Sequence, residues 1–302
     1  MMIIPPYLKK GNTIGIVCTS GFMPIENTTT CVNVLQQQGY KVVLGKTVGN
    51  QFNYFSGTDE ERLNDIQTML DNNEIDAILC GRGGYGLSRI IDKINFKKFI
   101  KNPKWIIGFS DITVLHSFVN TQLKIATLHA PMVNAFSNNG FKSQYVQSLL
   151  KALKGIKSNY TCQPHDFNKI GETSGELVGG NLCILAHLQG TNAAAKTKNK
   201  ILFLEDVGEY LYNIDRMFLQ LKRGGVFKDL AGLVVGGFSE LKDTTIPFGQ
   251  TVYEIINSHV EEYNFPVCYN FPVSHETENV ALKIGVQHQL KINKNKVILK
   301  EI

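Results

Sequence analysis

A serine that follows a buried strand, a histidine that could take its proton and a carboxylate that could hold that histidine make an acyl-transfer catalyst. In this sequence the serine with the most telling surroundings is Ser110, in the stretch KWIIGFSDI, residues 104–112. Trp105, Ile106 and Ile107 form an apolar run too short for a helix and bounded by Pro103 and Gly108, so they read as a buried strand. Asp111, Ile112, Leu115, Phe118 and Val119 then follow helical spacing. Ser110 is thus expected at a strand-to-helix turn, where the first N–H groups of the new helix lack partners of their own and can face whatever the serine oxygen attacks. The plain alternative is that Ser110 or Asp111 only caps the helix. The glycine that follows the serine in the known nucleophile elbow is absent from GFSDI.

The sequence has seven histidines. His116 and His187 fall inside helical patterns, and His165, His259 and His288 lie in polar or helical context. His129 and His275 each follow an apolar segment and are flanked by turn residues. The residues alone leave these two tied as the general base for Ser110. Carboxylates gather after the apolar run at 201–204, as Glu205, Asp206 and Glu209, a position suited to chemistry, although a solvated strand end is the commoner reason for such residues. No HExxH pair occurs and the six cysteines show no CxxC spacing, so neither a metal nor another cofactor is expected and the thiols read as reduced.

A second glycine-rich segment, GRGGYG at residues 81–86, leaves an apolar strand and leads to an expected helix from Leu87 to Ile94. Its glycines let backbone amides approach a ligand. Their offsets do not make a dinucleotide fingerprint. Donation of one amide to an oxyanion fits at least as well, because this strand end lies next to or near the one carrying Ser110, and turn geometry alone is the plain alternative.

Around these residues the pattern alternates strand and helix. Strands are expected at 13–18, 42–44, 75–80, 105–107 and 126–130, with helices before Gly39 and from Thr58 to about Leu70. Such alternation implies a mostly parallel sheet flanked by helices. A loop is expected at 137–140, then a helix from about Lys142 to Leu153 and polar sequence up to Gly175. GELVGGNLCIL, residues 175–185, reads as a glycine-rich turn into a helix. Strands at 201–204 and 230–238, an amphipathic helix through 212–221, a helix over 247–262 and a terminal hairpin suggested by the runs at 282–285, 289–292 and 296–302 complete the chain. The expected class is α/β with two domains: 1–136 carrying the nucleophile, a linker region at 137–174, and an α/β domain with a β-rich end at 175–302.

Basic residues number 31 against 26 acidic, a formal charge of +5, and they are scattered apart from two lysine groups without interleaved aromatics. A nucleic-acid surface would show a denser stripe. No apolar run approaches the eighteen or so residues of a membrane span, and Pro5 and Pro6 cut short the apolar start at Met1–Ile4. A cytoplasmic protein with no membrane and no nucleic-acid partner is expected.

Several separated segments together resemble the LD-carboxypeptidase family, serine peptidases that trim murein peptides in the bacterial cytoplasm. They are GRGGYG (81–86), GFSDIT (108–113), HAPM (129–132, with Ala130 where glycine is usual), LVGGNL (177–182), LFLEDVGE (202–209), YNIDRM (212–217), SHETEN (274–279) and LKIG (282–285). Ser274 stands where the family has glycine. The resemblance implies Ser110 as nucleophile, His275 as general base and acid, and Glu205 as the carboxylate orienting it, which breaks the tie with His129. It also implies oxyanion donation by the backbone amides of Asp111 and Gly84, and an active site drawing on both domains. The implied substrate is a murein tetrapeptide that loses its terminal D-alanine in cell-wall recycling. Arg82 is the candidate for holding the substrate's terminal carboxylate, and a homodimer is expected from the family. Two other functions compete: an amidase of the microcin C immunity type acting on aminoacyl or peptidyl nucleotides, and a non-catalytic small-molecule binding protein of the same fold. The adenylate reading needs a stacking surface. Between Gly190 and Ile201 the sequence has no aromatic residue, and Tyr212 falls in a helical pattern expected to face the core.

Overall fold

Short runs of bulky apolar residues separated by turns build most of the strands. In chain order the strands are β1 (Thr13–Val17), β2 (Lys41–Leu44), β3 (Ala77–Cys80), β4 (Trp105–Gly108), β5 (Thr127–His129), β6 (Asn159–Cys162) and β7 (Gly171–Asn181). They continue as β8 (Ile201–Val207), β9 (Gly232–Ser239), β10 (Val267–Cys268), β11 (Leu282–Ile284), β12 (Gln287–Ile292) and β13 (Val297–Glu301). The computed structural model describes residues 2–137 and 140–302, so Met1 and the Asn138 and Asn139 of the expected loop lie outside the described residues.

The chain divides into two compact units, one reaching to Ile156 and taking back Val280–Lys283, the other comprising Lys157–Asn279 and Ile284–Ile302. The stretch 137–174 carries the helix Gln144–Leu153, then β6 and the start of β7.

In the first unit the sheet order is β11-β5-β4-β3-β1-β2. The pairs β1–β2, β1–β3, β3–β4 and β4–β5 are all parallel. Strands β3 and β4 are buried along their whole length, as expected for a parallel sheet covered on both faces. The charged helix Asp59–Asp71 begins with a capping box in which Thr58 and Glu61 exchange side-chain and backbone hydrogen bonds. The helix expected over Leu87–Ile94 is instead two 3-10 turns, Leu87–Arg89 and Ile91–Lys93, broken at Ile90, whose φ of −123° is outside the helical range.

The second unit has a seven-stranded sheet of order β10-β9-β8-β7-β12-β13-β6. Its β10-β9-β8-β7 part is parallel. Its β7-β12-β13-β6 part is antiparallel. Most of LVGGNL belongs to the eleven-residue β7 rather than to a turn, with the following helix starting only at Leu182. The pair Gly179–Gly180 reads as a turn in sequence, yet here it lies opposite Phe203 and Leu204 in the ladder with β8. The helix Leu211–Arg223 buries Ile214, Met217, Phe218 and Leu221, a stripe with the i, i+3, i+4, i+7 spacing of one helix face. Leu202, Leu204, Leu233, Val235, Ile255 and Ile256 pack with that stripe as the unit's core.

Candidate active site

Ser110 lies just beyond the carboxyl end of β4, as the first residue of a 3-10 turn, Ser110–Ile112, that runs into the helix Thr113–Phe118. Its φ is +64°. A side-chain-bearing residue enters this left-handed region only where its surroundings hold it, at a cost on the order of 1 kcal/mol. Neither the turn nor the helix has a side-chain cap hydrogen bond, so Ser110 and Asp111 do not serve as N-caps. Asp111 turns its carboxylate elsewhere: Oδ2 accepts from Ser20 Oγ at 2.5 Å and from the Leu87 amide at 2.9 Å.

The GRGGYG loop is packed directly on the serine. A Cβ at Gly83 would stand 2.8 Å from Ser110 Cβ and 3.0 Å from its Oγ, so only glycine allows this approach. Gly84 is exposed. Arg82 is also exposed, and its Nη1 donates to the Phe22 carbonyl at 2.6 Å.

In the second unit Glu205, fully buried, lies within β8. Its Oε2 is 2.5 Å from His275 Nδ1. The contact assigns the Nδ1–H tautomer, with the ring donating to the carboxylate and left to act through Nε2. Burial by itself would push the imidazole down. The charge and hydrogen bond of Glu205, with Asp206 and Glu240 adding to them, outweigh it and hold His275 above its ordinary value.

Asp206, next to Glu205, is anchored by Asn181 Nδ2 at 2.8 Å and by the amides of Cys183 and Val207, each at 2.9 Å. Burial and then the Glu205 charge push its carboxyl up to about 7. His275 is itself placed by the segment that precedes it. The Phe271 amide donates to the Val235 carbonyl at 3.0 Å and the Gly237 amide to the Val273 carbonyl at 2.9 Å, which lays residues 271–273 along the end of β9.

His129, level with His275 in sequence, differs in its surroundings. It is fully buried in β5, paired in register with Gly108, with its ring 5.8 Å from that of Phe109 and 6.5 Å from that of His116. The His116 ring bonds the Gly108 carbonyl at 2.8 Å, and burial pushes it down to about 4. Among the described residues no group of three or more His, Cys, Asp or Glu could hold a metal ion. No helix among the described residues is long and apolar enough to cross a membrane.

Three contributions carry no signal of their role in the sequence motifs: Ser20, Arg62 and Asn181. Arg62, in the charged helix that follows Thr58, is fully buried and its Nη1 donates to the Thr19 and Gly86 carbonyls at 2.7 and 3.0 Å. The phase of the helix was the available signal, since Arg62, Ile66 and Met69 share one face.

The models of the LD-carboxypeptidase N-terminal and C-terminal domains match residues 14–130 and 174–290. The chain belongs to the LD-carboxypeptidase family of serine peptidases. It is similar to the probable murein peptide carboxypeptidase of Bacillus subtilis, 32% identical over 286 residues that cover 94% of this chain and 90% of the relative. It is also similar to the microcin C7 self-immunity protein MccF of Escherichia coli, 25% identical over 327 residues, covering 97% and 94%. The crystal structure of muramoyltetrapeptide carboxypeptidase from Oxalobacter formigenes superposes with a TM-score of 0.87 at 27% identity, covering 96% of this chain and 98% of that one.

Proposed function

We propose that the chain is an LD-carboxypeptidase that removes the terminal D-alanine from murein tetrapeptides, with Ser110, His275 and Glu205 as its triad. The observation that carries the reading is the fully buried Glu205 carboxylate 2.5 Å from His275 Nδ1. A histidine so held is oriented and its charged form is stabilised, which is the third-partner role in a serine hydrolase. His275 takes the proton of Ser110 as its oxygen attacks the amide carbonyl. The amides of Asp111 and Gly84 receive the oxyanion. The imidazolium returns the proton to the leaving D-alanine, and water, activated by the same ring, resolves the acyl-enzyme. Arg82 is the proposed partner of the substrate's terminal carboxylate. Cytoplasmic residence, murein recycling and a homodimer belong to the same proposal and rest on the family alone.

The pH dependence follows from the direction of the His275 shift. Only the neutral ring accepts a proton, so kcat/KM should rise with pH through the pKa of His275 in the free enzyme. Because that pKa is raised, the midpoint should lie above the ordinary histidine value of about 6.5. Glu205→Gln removes the first upward influence and should move the midpoint down, with a smaller rate loss than His275→Ala. A midpoint that stays in place in Glu205→Gln would contradict the pairing.

The amidase acting on aminoacyl nucleotides is kept as a second reading by one observation. Tyr212, expected in the core, is exposed because Ile214, Met217, Phe218 and Leu221 occupy the inward face of its helix. It stacks on exposed Tyr210 at 5.4 Å between ring centroids, with Lys242 Nζ 5.9 Å from the Tyr210 ring and Arg216 Cζ 5.5 Å from that of Tyr212. Such a pair can receive a base. The cations already occupy these rings, and residues 191–200 carry no aromatic. The murein tetrapeptide is therefore expected to be cleaved with a kcat/KM at least about tenfold above that for an aminoacyl sulfamoyl adenosine, a gap of about 1.4 kcal/mol. Kinetics on both substrates check this, and the opposite preference would replace the substrate while leaving the triad proposal intact.

A further inference from the structure

Ser110 depends on three loops that follow neighbouring parallel strands. The loop after β1 contains Thr19, Ser20 and Gly21, the loop after β3 is GRGGYG, and the turn after β4 carries Ser110 itself. Asp111 is 1% exposed and is the side chain that spans all three. From the serine turn its Oδ2 reaches Ser20 Oγ at 2.5 Å, on the first loop, and the Leu87 amide at 2.9 Å, at the end of the second. The loops after β1 and β3 are also bonded to each other, with the Gly21 amide donating to the Gly83 carbonyl at 3.1 Å. Arg62 closes the arrangement from outside by holding the Thr19 and Gly86 carbonyls.

A buried carboxylate is costly to desolvate and persists where donors are fixed around it. Here one donor, the Leu87 amide, directly follows the segment that presses Gly83 against Ser110 and carries Gly84, and the other, Ser20, lies on the loop bonded to that segment. Because Asp111 follows Ser110 directly, a displacement of its side chain is passed to the backbone that holds the serine at φ +64°.

We propose that the Asp111 side chain is a positioning residue, which locks the loops after β1 and β3 to the serine turn and so fixes the amides of Asp111 and Gly84 relative to the serine oxygen. The inference rests on the proposed role of Ser110 and goes beyond it, because it assigns the carboxylate a function separate from that of the Asp111 amide.

The test uses the full chain, with active sites counted by titration with a fluorophosphonate and rates on the tetrapeptide expressed per titrated site. Asp111→Asn keeps the size and removes the charge. Its kcat per site should fall on the order of a hundredfold, the scale of a lost oxyanion donor, with KM within about twofold. Inhibition by a peptidyl boronic acid, which mimics the tetrahedral intermediate, should weaken by a similar factor. Ser20→Ala removes one donor and leaves the charge and the Leu87 bond, so it should show the same split at about three- to tenfold. It carries the test alone if Asp111→Asn does not fold.

A normal kcat per titrated site in either variant, with only fewer sites or a lower melting temperature, would overturn the positioning role. Retained turnover in Ser110→Ala would instead remove the nucleophile reading beneath it.

Discussion

Ser110→Ala should lower kcat on a murein tetrapeptide by a thousandfold or more while the melting temperature stays within a few degrees of the parent. The loss is large because the members of a nucleophile–base pair act as a unit, and whatever turnover remains comes from binding and oxyanion stabilisation. Folding should be spared, since alanine removes one hydroxyl from a half-buried position. Alanine keeps the Cβ and therefore the left-handed strain at φ +64°, so the backbone preference of the site is nearly unchanged. Initial rates of D-alanine release, with thermal melts of both proteins, check the two halves of this expectation.

Gly236→Ala should cost activity through the proposed base, His275, and its partner Glu205. A Cβ at Gly236 would meet the Val273 carbonyl oxygen at 2.2 Å and the Val273 side chain at 2.7 Å, with Glu205 Cβ at 3.3 Å on its other side. The first of these cannot be tolerated, and a backbone carbonyl cannot rotate away as a side chain would. Residues 271–273 would have to lift from the end of β9, breaking or stretching the Gly237 to Val273 bond and moving His275, two residues on, away from Glu205. Overpacking of this kind typically destabilises by about 1–3 kcal/mol. The catalytic loss should be on the order of a hundredfold in kcat, because a misplacement of about 1 Å at a catalytic group is enough. The His275 proton affinity should fall with it, so the acid limb of the rate profile should move to lower pH. Parent-like kcat and pH midpoint in Gly236→Ala would mean that the β9 end does not place the histidine.

The strand-to-helix turn at Ser110 was legible because it is local: an apolar run, a glycine and a helical repeat occur within about fifteen residues. The alternation that gives the first sheet was legible for the same reason. The histidine was not, as far as physics went. His129 and His275 have the same kind of neighbours in sequence, and what separates them is a contact across seventy positions between His275 and Glu205. Family resemblance pointed to that pair, and the hydrogen bond supplies a physical reason for it.

Other features were hidden by the same dependence on distant residues. Gly179 and Gly180 read as a turn because glycine punctuates chains, yet they sit inside β7 opposite β8. Tyr212 was placed in the core from helical spacing, but the spacing fixed only the period, and the phase is set by Ile214, Met217, Phe218 and Leu221. Leu282–Ile284 looked like part of a terminal hairpin. It is instead the edge strand beside β5, a return of the chain to the first sheet that no local pattern announces.

A Ser110 nucleophile activated by His275 should react with a serine-directed phosphonylating probe. Labelling of the parent chain with a fluorophosphonate, followed by peptide mapping and repeated across pH in His275→Ala and His129→Gln, tests it most directly. A single adduct on Ser110 is expected, formed faster as pH rises through the raised pKa of His275, slowed by on the order of a thousandfold in His275→Ala and little changed in His129→Gln. An adduct on another serine, or parent-like labelling in His275→Ala with loss in His129→Gln, would contradict it.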